Sequence, residues 1–332
     1  MEHTTMTTTM MKALAATAGA LGLLLGANPA TGQAWPAARP IRLVIGFAPG
    51  GAADYVARTI SEPLAKALGQ SVVVENRAGA GSSLAADHVS KSPADGYTLL
   101  IASPSSVSVN PTLNPKLTYM KDLAPLTLLT SSPLVLAVNP ASGINSMQEL
   151  IALARSKPGS LNYTTSGNGS APHLGAAHFS TVAGVEMVHI PYKGGAPAIA
   201  AVVAGDGQLT FGTPPSVLPM VQAGRLKALA VTSLNRTALV PNVPGTIEAG
   251  LPGFSLSFWY GFFVPAGTPP DISKKLFDTT QAVMQRPEIK AALAREGAEV
   301  AMSKSPEEFA SFLVDDNRFW AKLVKDSGVK AE

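Results

Sequence analysis

There is no cysteine among the 332 residues. Disulfides, thiolate metal sites and a cysteine nucleophile are therefore excluded, and so is a lipid attached to an N-terminal cysteine. Charge is scarce too: Asp, Glu, Lys and Arg together make up 14% of the chain, and the formal net charge is only +3. No cluster of Lys and Arg interleaved with aromatics occurs anywhere, which sets nucleic acid aside as a partner. The apolar run ALAATAGALGLLLG (13–26) stops short of the roughly 20 residues that span a bilayer. Motifs of chemistry are missing as well. No Gly-x-Ser-x-Gly elbow is present, and no serine is paired with a histidine and an acid in a recognisable pattern. His173 and His178 are five apart with no acid between them, unlike the two histidines of a zinc helix. No catalytic residue, metal or cofactor is expected.

What is present suits export and a large core. Hydrophobic residues reach 46%, which argues against wholesale disorder. Lys12 precedes the apolar run, the run breaks at Asn28-Pro29, and Gly32-Gln33-Ala34 places small residues before Trp35. That is the pattern of a signal peptide over 1–34, cleaved near Ala34/Trp35. An exported chain without cysteine, and so not a lipoprotein, points to the bacterial periplasm.

Beyond Trp35, strand and helix signals alternate. IRLVIGF (41–47), VVVEN (72–76), YTLLIA (97–102), LTLLT (126–130), LVLAV (134–138), LNYTT (161–165), MVHIPY (187–192), QLTFG (208–212) and LKALAVT (226–232) read as short strands between helical segments. The pattern predicts an α/β protein with mostly parallel sheets and helices on both faces. Helix starts are marked by N-cap spacing at Ser146 and Glu149, Thr268 and Asp271, and Ser305 and Glu308. The last helix sets Phe309, Phe312, Leu313, Trp320 and Leu323 on one side. LVLAVNPASGI (134–144) and WYGFFVPAGTPP (259–270) end alike, and both lead into a helix. They read as the two crossovers of a two-lobe protein, with lobe 1 at 35–135 plus 262–332 and lobe 2 at 136–261. A ligand cleft lies naturally between such lobes.

Two glycine turns stand out. FAPGGAAD (47–54) follows a strand and opens a helix carrying Val56, Ile60, Leu64 and Leu68 at one face, with a kink or restart expected at Pro63 and an end at Gly69. It lacks the residues of a P-loop and of a dinucleotide turn. TTSGNGSAPHLG (164–175) repeats the arrangement, with Ser170 as a cap ahead of Ala171 and Pro172. Facing one another, two helix N-termini would grip a carboxylate largely by main chain. Ordinary strand-to-helix connections are the alternative. Asp54 serves either the helix start or a ligand hydroxyl or amine. Phe258, Trp259 and Tyr260 either pack the crossover or offer a ring to the ligand.

YVARTISEPLAKALGQSVVVENRAGAGSSLAADHV (55–89), SPADGYTLLIAS (92–103), HIPYKGGAPAIAAVVAG (189–205), GRLKALAVTS (224–233) and VPAGTPPDI (264–272) carry a resemblance to the Bug family, in order along nearly the whole mature chain. These are extracytoplasmic solute receptors of tripartite tricarboxylate transporters. The resemblance implies a two-lobe periplasmic-binding-protein fold, a small organic carboxylate as ligand, transporter subunits in the membrane as partners, and action as a monomer. By position it places the site at Phe47, Pro49, Gly50, Gly51, Ala52 and Asp54 of the first turn, and at Ser166, Gly167, Gly169 and Ser170 of the second. The PYKGG turn, Tyr192 to Gly195, and Ser103 border the same cleft in this reading. Two departures bear on the ligand. Ala52 and Ala53 stand where the family usually has hydroxyl residues, and Gly212-Thr213 where it commonly has Asp-Asn. Delivery to a membrane sensor is the alternative destination, and an exported serine hydrolase using Ser103 or Ser170 the alternative chemistry.

Overall fold

The structure is a computed structural model that describes residues 35–295 and 297–330. The leader expected over 1–34, with its cleavage site, lies outside the described residues. The chain divides after Ala38 into two units, and among the described residues the strands and helices all belong to the second, which runs from Arg39 onward.

Strand β1 (Ile41–Ile45) is followed by α1 (Ala52–Leu68), β2 (Val72–Asn76), α2 (Ser83–Ser90) and β3 (Thr98–Ala102). One turn of π-helix (Ser105–Val109) and the short α3 (Asn110–Leu113) lead to the long β4 (Leu123–Pro133). Then come β5 (Val135–Val138), α4 (Met147–Ser156), β6 (Asn162–Thr165), α5 (Ala171–Ala183) and β7 (Val188–Pro191). They are followed by α6 (Gly195–Ala204), β8 (Leu209–Gly212), α7 (Pro214–Gln222) and β9 (Lys227–Val231). The chain returns through β10 (Ser257–Pro265), α8 (Pro270–Met284), α9 (Pro287–Arg295), β11 (Glu299–Val300) and α10 (Pro306–Ser327).

These strands make two sheets, ordered β11-β4-β10-β3-β1-β2 and β7-β6-β8-β5-β9, and each sheet is the floor of one lobe. Every stretch read as a strand from sequence forms one. The sheets are mixed, however, rather than mostly parallel. β1 runs parallel to β2 and β3, and β6 parallel to β7 and β8, but β4, β5 and β10 pair antiparallel with their neighbours. The reason is the crossing itself: the chain leaves the first sheet at the end of β4 and re-enters beside it along β10, in the opposite direction. The boundary expected at 261/262 falls inside β10. Ser257 already pairs with Pro133, so the whole strand belongs to the first sheet and the return crossing precedes it.

Local signals behave as their chemistry requires, with three exceptions. Ser146 and Ser305 accept the Glu149 and Glu308 amides, at 3.1 and 3.2 Å, and cap α4 and α10. Thr268 does not cap α8. Pro270 forces Pro269 into an extended conformation, so the helix starts one residue late and Thr268 Oγ1 instead donates to the Pro265 carbonyl. α1 buries Val56, Ile60, Leu64 and Leu68, runs on through Pro63 as one helix, and stops at left-handed Gly69. On α10, Phe309, Leu313, Trp320 and Leu323 are buried, but Phe312 is 39% exposed, at the rim with its ring edge-on to Trp259. Val44, Leu100, Trp259, Phe263 and Phe309 anchor the first core, and Val135, Ile199, Val202, Val217 and Val231 the second. Each such side chain contributes about 1.5–3 kcal/mol by burial. Among the described residues no helix is long and apolar enough to cross a membrane.

Candidate functional site

β7, β6 and β8 are parallel neighbours, and each runs directly into a helix. α6, α5 and α7 must therefore all begin at one edge of the second sheet. β1 of the first sheet brings the start of α1 to the same place. Residues from the first turns of all four helices line one interlobe cavity: Ala52 and Ala53, Pro172, Gly195 and Ala198, and Ser216. A helix N-terminus carries about half a positive charge on its free N–H groups. Among the described residues lining the cavity none is charged. Its walls are apolar rings and methyls, notably Phe47, Ile199, Phe211, Phe258 and Tyr260. The cavity measures about 30 Å³, room for about two waters at roughly 10–15 Å³ each.

The first turn is stiffened by a buried carboxylate. Gly50 takes φ +80°, a conformation open to glycine, and its N–H donates to Asp54 Oδ2 at 3.0 Å. Arg58 Nε donates to the same oxygen at 2.8 Å, and Asn76 Nδ2 to Oδ1 at 3.1 Å and to the Phe47 carbonyl at 3.0 Å. Burial alone would push the Asp54 carboxyl up, but the bonds from Arg58, Gly50 and Asn76 outweigh it and hold the group below its ordinary value. Asp54 is thus engaged with the turn and does not line the cavity.

The second turn rests on neutral groups. Ser170 Oγ accepts the His173 N–H at 3.2 Å and caps α5, while His173 Nδ1 accepts the Gly169 N–H at 3.3 Å. The His173 ring stacks on His189 at 3.8 Å, and His189 stacks on Tyr163 at 5.1 Å. His189 Nε2 bonds Thr165 Oγ1 at 2.6 Å, and that oxygen accepts the Gly167 N–H at 3.2 Å. Burial lowers His173 to about 4; burial, and then the neighbouring His173, lower His189 to about 3. Both imidazoles are neutral at pH 7.

The lobes meet through main chain and hydroxyls. Ala48 N–H donates to the Lys193 carbonyl at 3.1 Å, and a side chain on Gly194 would stand 2.8 Å from the Ala48 nitrogen. Ala52 N–H donates to Ser216 Oγ at 3.2 Å, and Ala171 N–H to Ser105 Oγ at 2.8 Å. Each lobe thereby lends a serine to a helix start of the other.

Of the residues singled out in the sequence, Phe47, Gly51, Ala52, Ser166, Gly212 and Thr213 come together around the cavity. Pro49, Gly50, Asp54, Ser103, Gly167, Gly169, Ser170 and Tyr192 do not line it. Gly169 packs instead on Asn110 of the first lobe, where a side chain would come within 2.0 Å of Oδ1. Ser103 is fully buried behind the wall. Phe258 and Tyr260 line the cavity while Trp259 between them packs on Phe309, because side chains alternate along β10. Gly195, at the end of the PYKGG turn, lines the cavity, and so does Ser216, which was not anticipated. The signal for Ser216 was in the sequence: a strand ending at Gly212 with a helix directly after. Among the described residues no group of three or more His, Asp or Glu could hold a metal ion.

Residues 56–329 match the family model described as tripartite tricarboxylate transporter family receptor. The protein BugT of Bordetella pertussis is 36% identical over 307 residues, covering 92% of this chain and 94% of that protein. Among solved structures, an R. palustris protein with adipate superposes with a TM-score of 0.86 at 34% identity, covering 89% of this chain and 99% of that one. MatC of Rhodopseudomonas palustris with bound malate gives 0.82 at 31% identity, over 87% of this chain and 99% of that one.

Proposed function

The chain belongs to the tripartite tricarboxylate transporter receptor family, a family of periplasmic solute-binding proteins, and on that premise we propose that it captures a small organic carboxylate between its lobes and delivers it to the membrane subunits of such a transporter. One observation carries the ligand class: four helix N-termini converge on a cavity without a charged side chain. An anion there is neutralised by oriented N–H groups and helix dipoles, with no lysine or arginine needed. Of the site residues read from sequence, the amides of Gly51 and Ala52 with the flanking Ser166 and Thr213 make the contacts in this proposal. Gly167, Gly169 and Ser170 of the second turn, with Asp54 of the first, hold the geometry from behind.

The apolar walls favour an acid with a hydrocarbon or aromatic body over one bearing polar groups all round. Adipate and malate in the similar structures are both small dicarboxylates. A cavity of about 30 Å³ is far below the roughly 300 Å³ and more that ligand pockets commonly enclose. The lobes must part at Leu134 and before Ser257 to admit a ligand, then close on it. Closure is what a membrane partner reads. The protein binds and releases; it does not transform.

Native mass spectrometry of freshly purified periplasmic protein tests this. The expected result is a retained organic acid, recovered unchanged and displaceable by adipate or malate. A retained neutral or cationic molecule, or an acid returned chemically altered, would contradict the proposal.

A further inference from the structure

α1 opens with two alanines, so its first two positions offer a ligand main-chain N–H groups and methyls only. The one polar side chain that comes next, Asp54, is bonded to Gly50, Arg58 and Asn76. A hydroxyl nonetheless stands at this helix start, and it comes from the opposite lobe. Ser216 Oγ lies 3.2 Å from the Ala52 nitrogen and 3.2 Å from Thr213 Oγ1, and Ser216 lines the cavity. Its own N–H is bonded to the Thr213 carbonyl at 2.9 Å, which fixes the residue in the first turn of α7. Glycine at 195 leaves the hydroxyl its room, since a Cβ there would stand 2.9 Å from Ser216 Oγ.

We propose that Ser216 is the side-chain donor of the anion site. It reaches across the cleft and donates an O–H hydrogen bond to the carboxylate oxygen that takes the Ala52 N–H. This rests on the proposed capture of a carboxylate and names the group that selects it. A hydroxyl has one proton and two lone pairs, so it can accept or donate by rotating about its own bond. In the present arrangement Ser216 Oγ is the acceptor for Ala52 N–H and occupies the position an acceptor oxygen of the ligand requires. A ligand carboxylate entering there takes over the Ala52 N–H, and Ser216, still within reach, turns from acceptor to donor. With its one proton turned to the ligand, Ser216 Oγ accepts from the Thr213 hydroxyl on its other side. An amide can offer the pair only its neutral carbonyl oxygen, whereas a carboxylate makes both bonds charge-assisted, so Ala52 N–H and Ser216 O–H together favour acid over amide.

The corresponding serine on the other helix has a different part. Ser105 also accepts an N-terminal amide across the lobes, but it is fully buried and does not line the cavity. It ties the lobes together without reach to a ligand.

Calorimetry on the mature wild type, Ser216→Ala and Ser216→Thr tests the assignment, with a panel of mono-, di- and tricarboxylates that includes adipate and malate. The tightest acid is then compared with its monoamide. A hydrogen bond to a charged group sets the expected loss for Ser216→Ala at roughly ten- to hundredfold in acid affinity. Amide affinity stays within about threefold, so the preference for acid over amide shrinks accordingly, and Ser216→Thr restores most of it. Unchanged acid affinity in Ser216→Ala would overturn the assignment. Equal losses for acid and amide would overturn it too, leaving Ser216 as a lobe tie like Ser105. A wild type that binds no acid of the panel would take down the proposed function, and this assignment with it.

Discussion

The two glycine turns look alike in sequence and are built on opposite principles. Each ends a strand, bends on glycine and opens a helix. The first is braced by a buried, ionised carboxylate, Asp54, which gathers Gly50, Arg58 and Asn76. The second is braced by two stacked, neutral imidazoles, with His173 taking the Gly169 N–H and His189 bonding Thr165. Their positions differ as well. The first turn lies open to the cavity at Gly51, whereas the second packs Gly169 on the first lobe's Asn110. The first turn offers amides to the cavity, while the second offers Ser166 and sets Gly169 against the opposite lobe. A shared pattern therefore does not entail a shared role.

Substitution at the open turn separates ligand contact from folding most sharply. A Cβ on Gly51 would meet the Gly195 and Ala196 nitrogens at 3.7 Å, an ordinary contact, and φ there is not left-handed. Gly51→Val should therefore fold, yet its branched side chain covers the approach to the amides. Acid affinity is expected to fall roughly hundred- to thousandfold, or about 2.7–4 kcal/mol, by calorimetry. A loss confined to thermal stability would mean that the turn only connects strand to helix.

Acid should part the two turns next. His173 titrates near 6.5 unfolded and at about 4 folded, so the unfolded chain binds the extra proton between those values. Its stabilisation is complete above about 6.5 and is lost as pH falls towards 4, on the order of 3 kcal/mol by linkage. Asp54 is shifted down, so its contribution is present above the ordinary carboxylate range and fades only as pH falls through that range and below. Asp316, raised by burial to about 6, acts in the opposite sense and loses stability as pH rises from about 4 to 6. Global melting mixes these contributions, so amide exchange is the better reading. Protection of the Gly167 and Gly169 amides, taken relative to their intrinsic exchange at each pH, should fall between pH 6 and 4 while that of Gly50 holds. His173→Asn, which keeps an acceptor near Nδ1, should flatten the response.

Smaller effects refine the contrast. Asp54→Ala leaves the Gly50 and Asn76 donors without their carboxylate and should cost about 2 kcal/mol of unfolding free energy, with acid binding weakened but retained. Arg58 is too exposed for its ion pair to add much. Ser170→Ala removes one cap, for about 1 kcal/mol, and touches affinity least, because Ser170 lies behind the cavity wall. Denaturant titration of the two variants checks that order.

How much of this was legible beforehand depends on what each feature rests upon. Strands and helices were read from local periodicity, which short-range contacts then satisfied. The antiparallel β4–β10 pair was not, since pairing direction depends on how the chain returns, and no local pattern encodes that. The first turn was found because its glycines, strand and helix are contiguous. Ser216 was missed because it joins Ala52 across 164 residues, through a lobe contact that neither neighbourhood announces. His173, on α5, was set aside for lacking metal-ligand spacing, and its partner His189 lies on β7, with the ring centroids 3.8 Å apart.

A crystal structure of the protein with its tightest acid tests the account most directly. The prediction is a carboxylate oxygen about 2.7–3.2 Å from the Ala52 nitrogen, with Ser216 Oγ at similar reach and the ligand's body against Phe47 and Tyr260. A carboxylate held instead by a lysine or arginine side chain, outside the cavity where α1, α5, α6 and α7 begin, would contradict it.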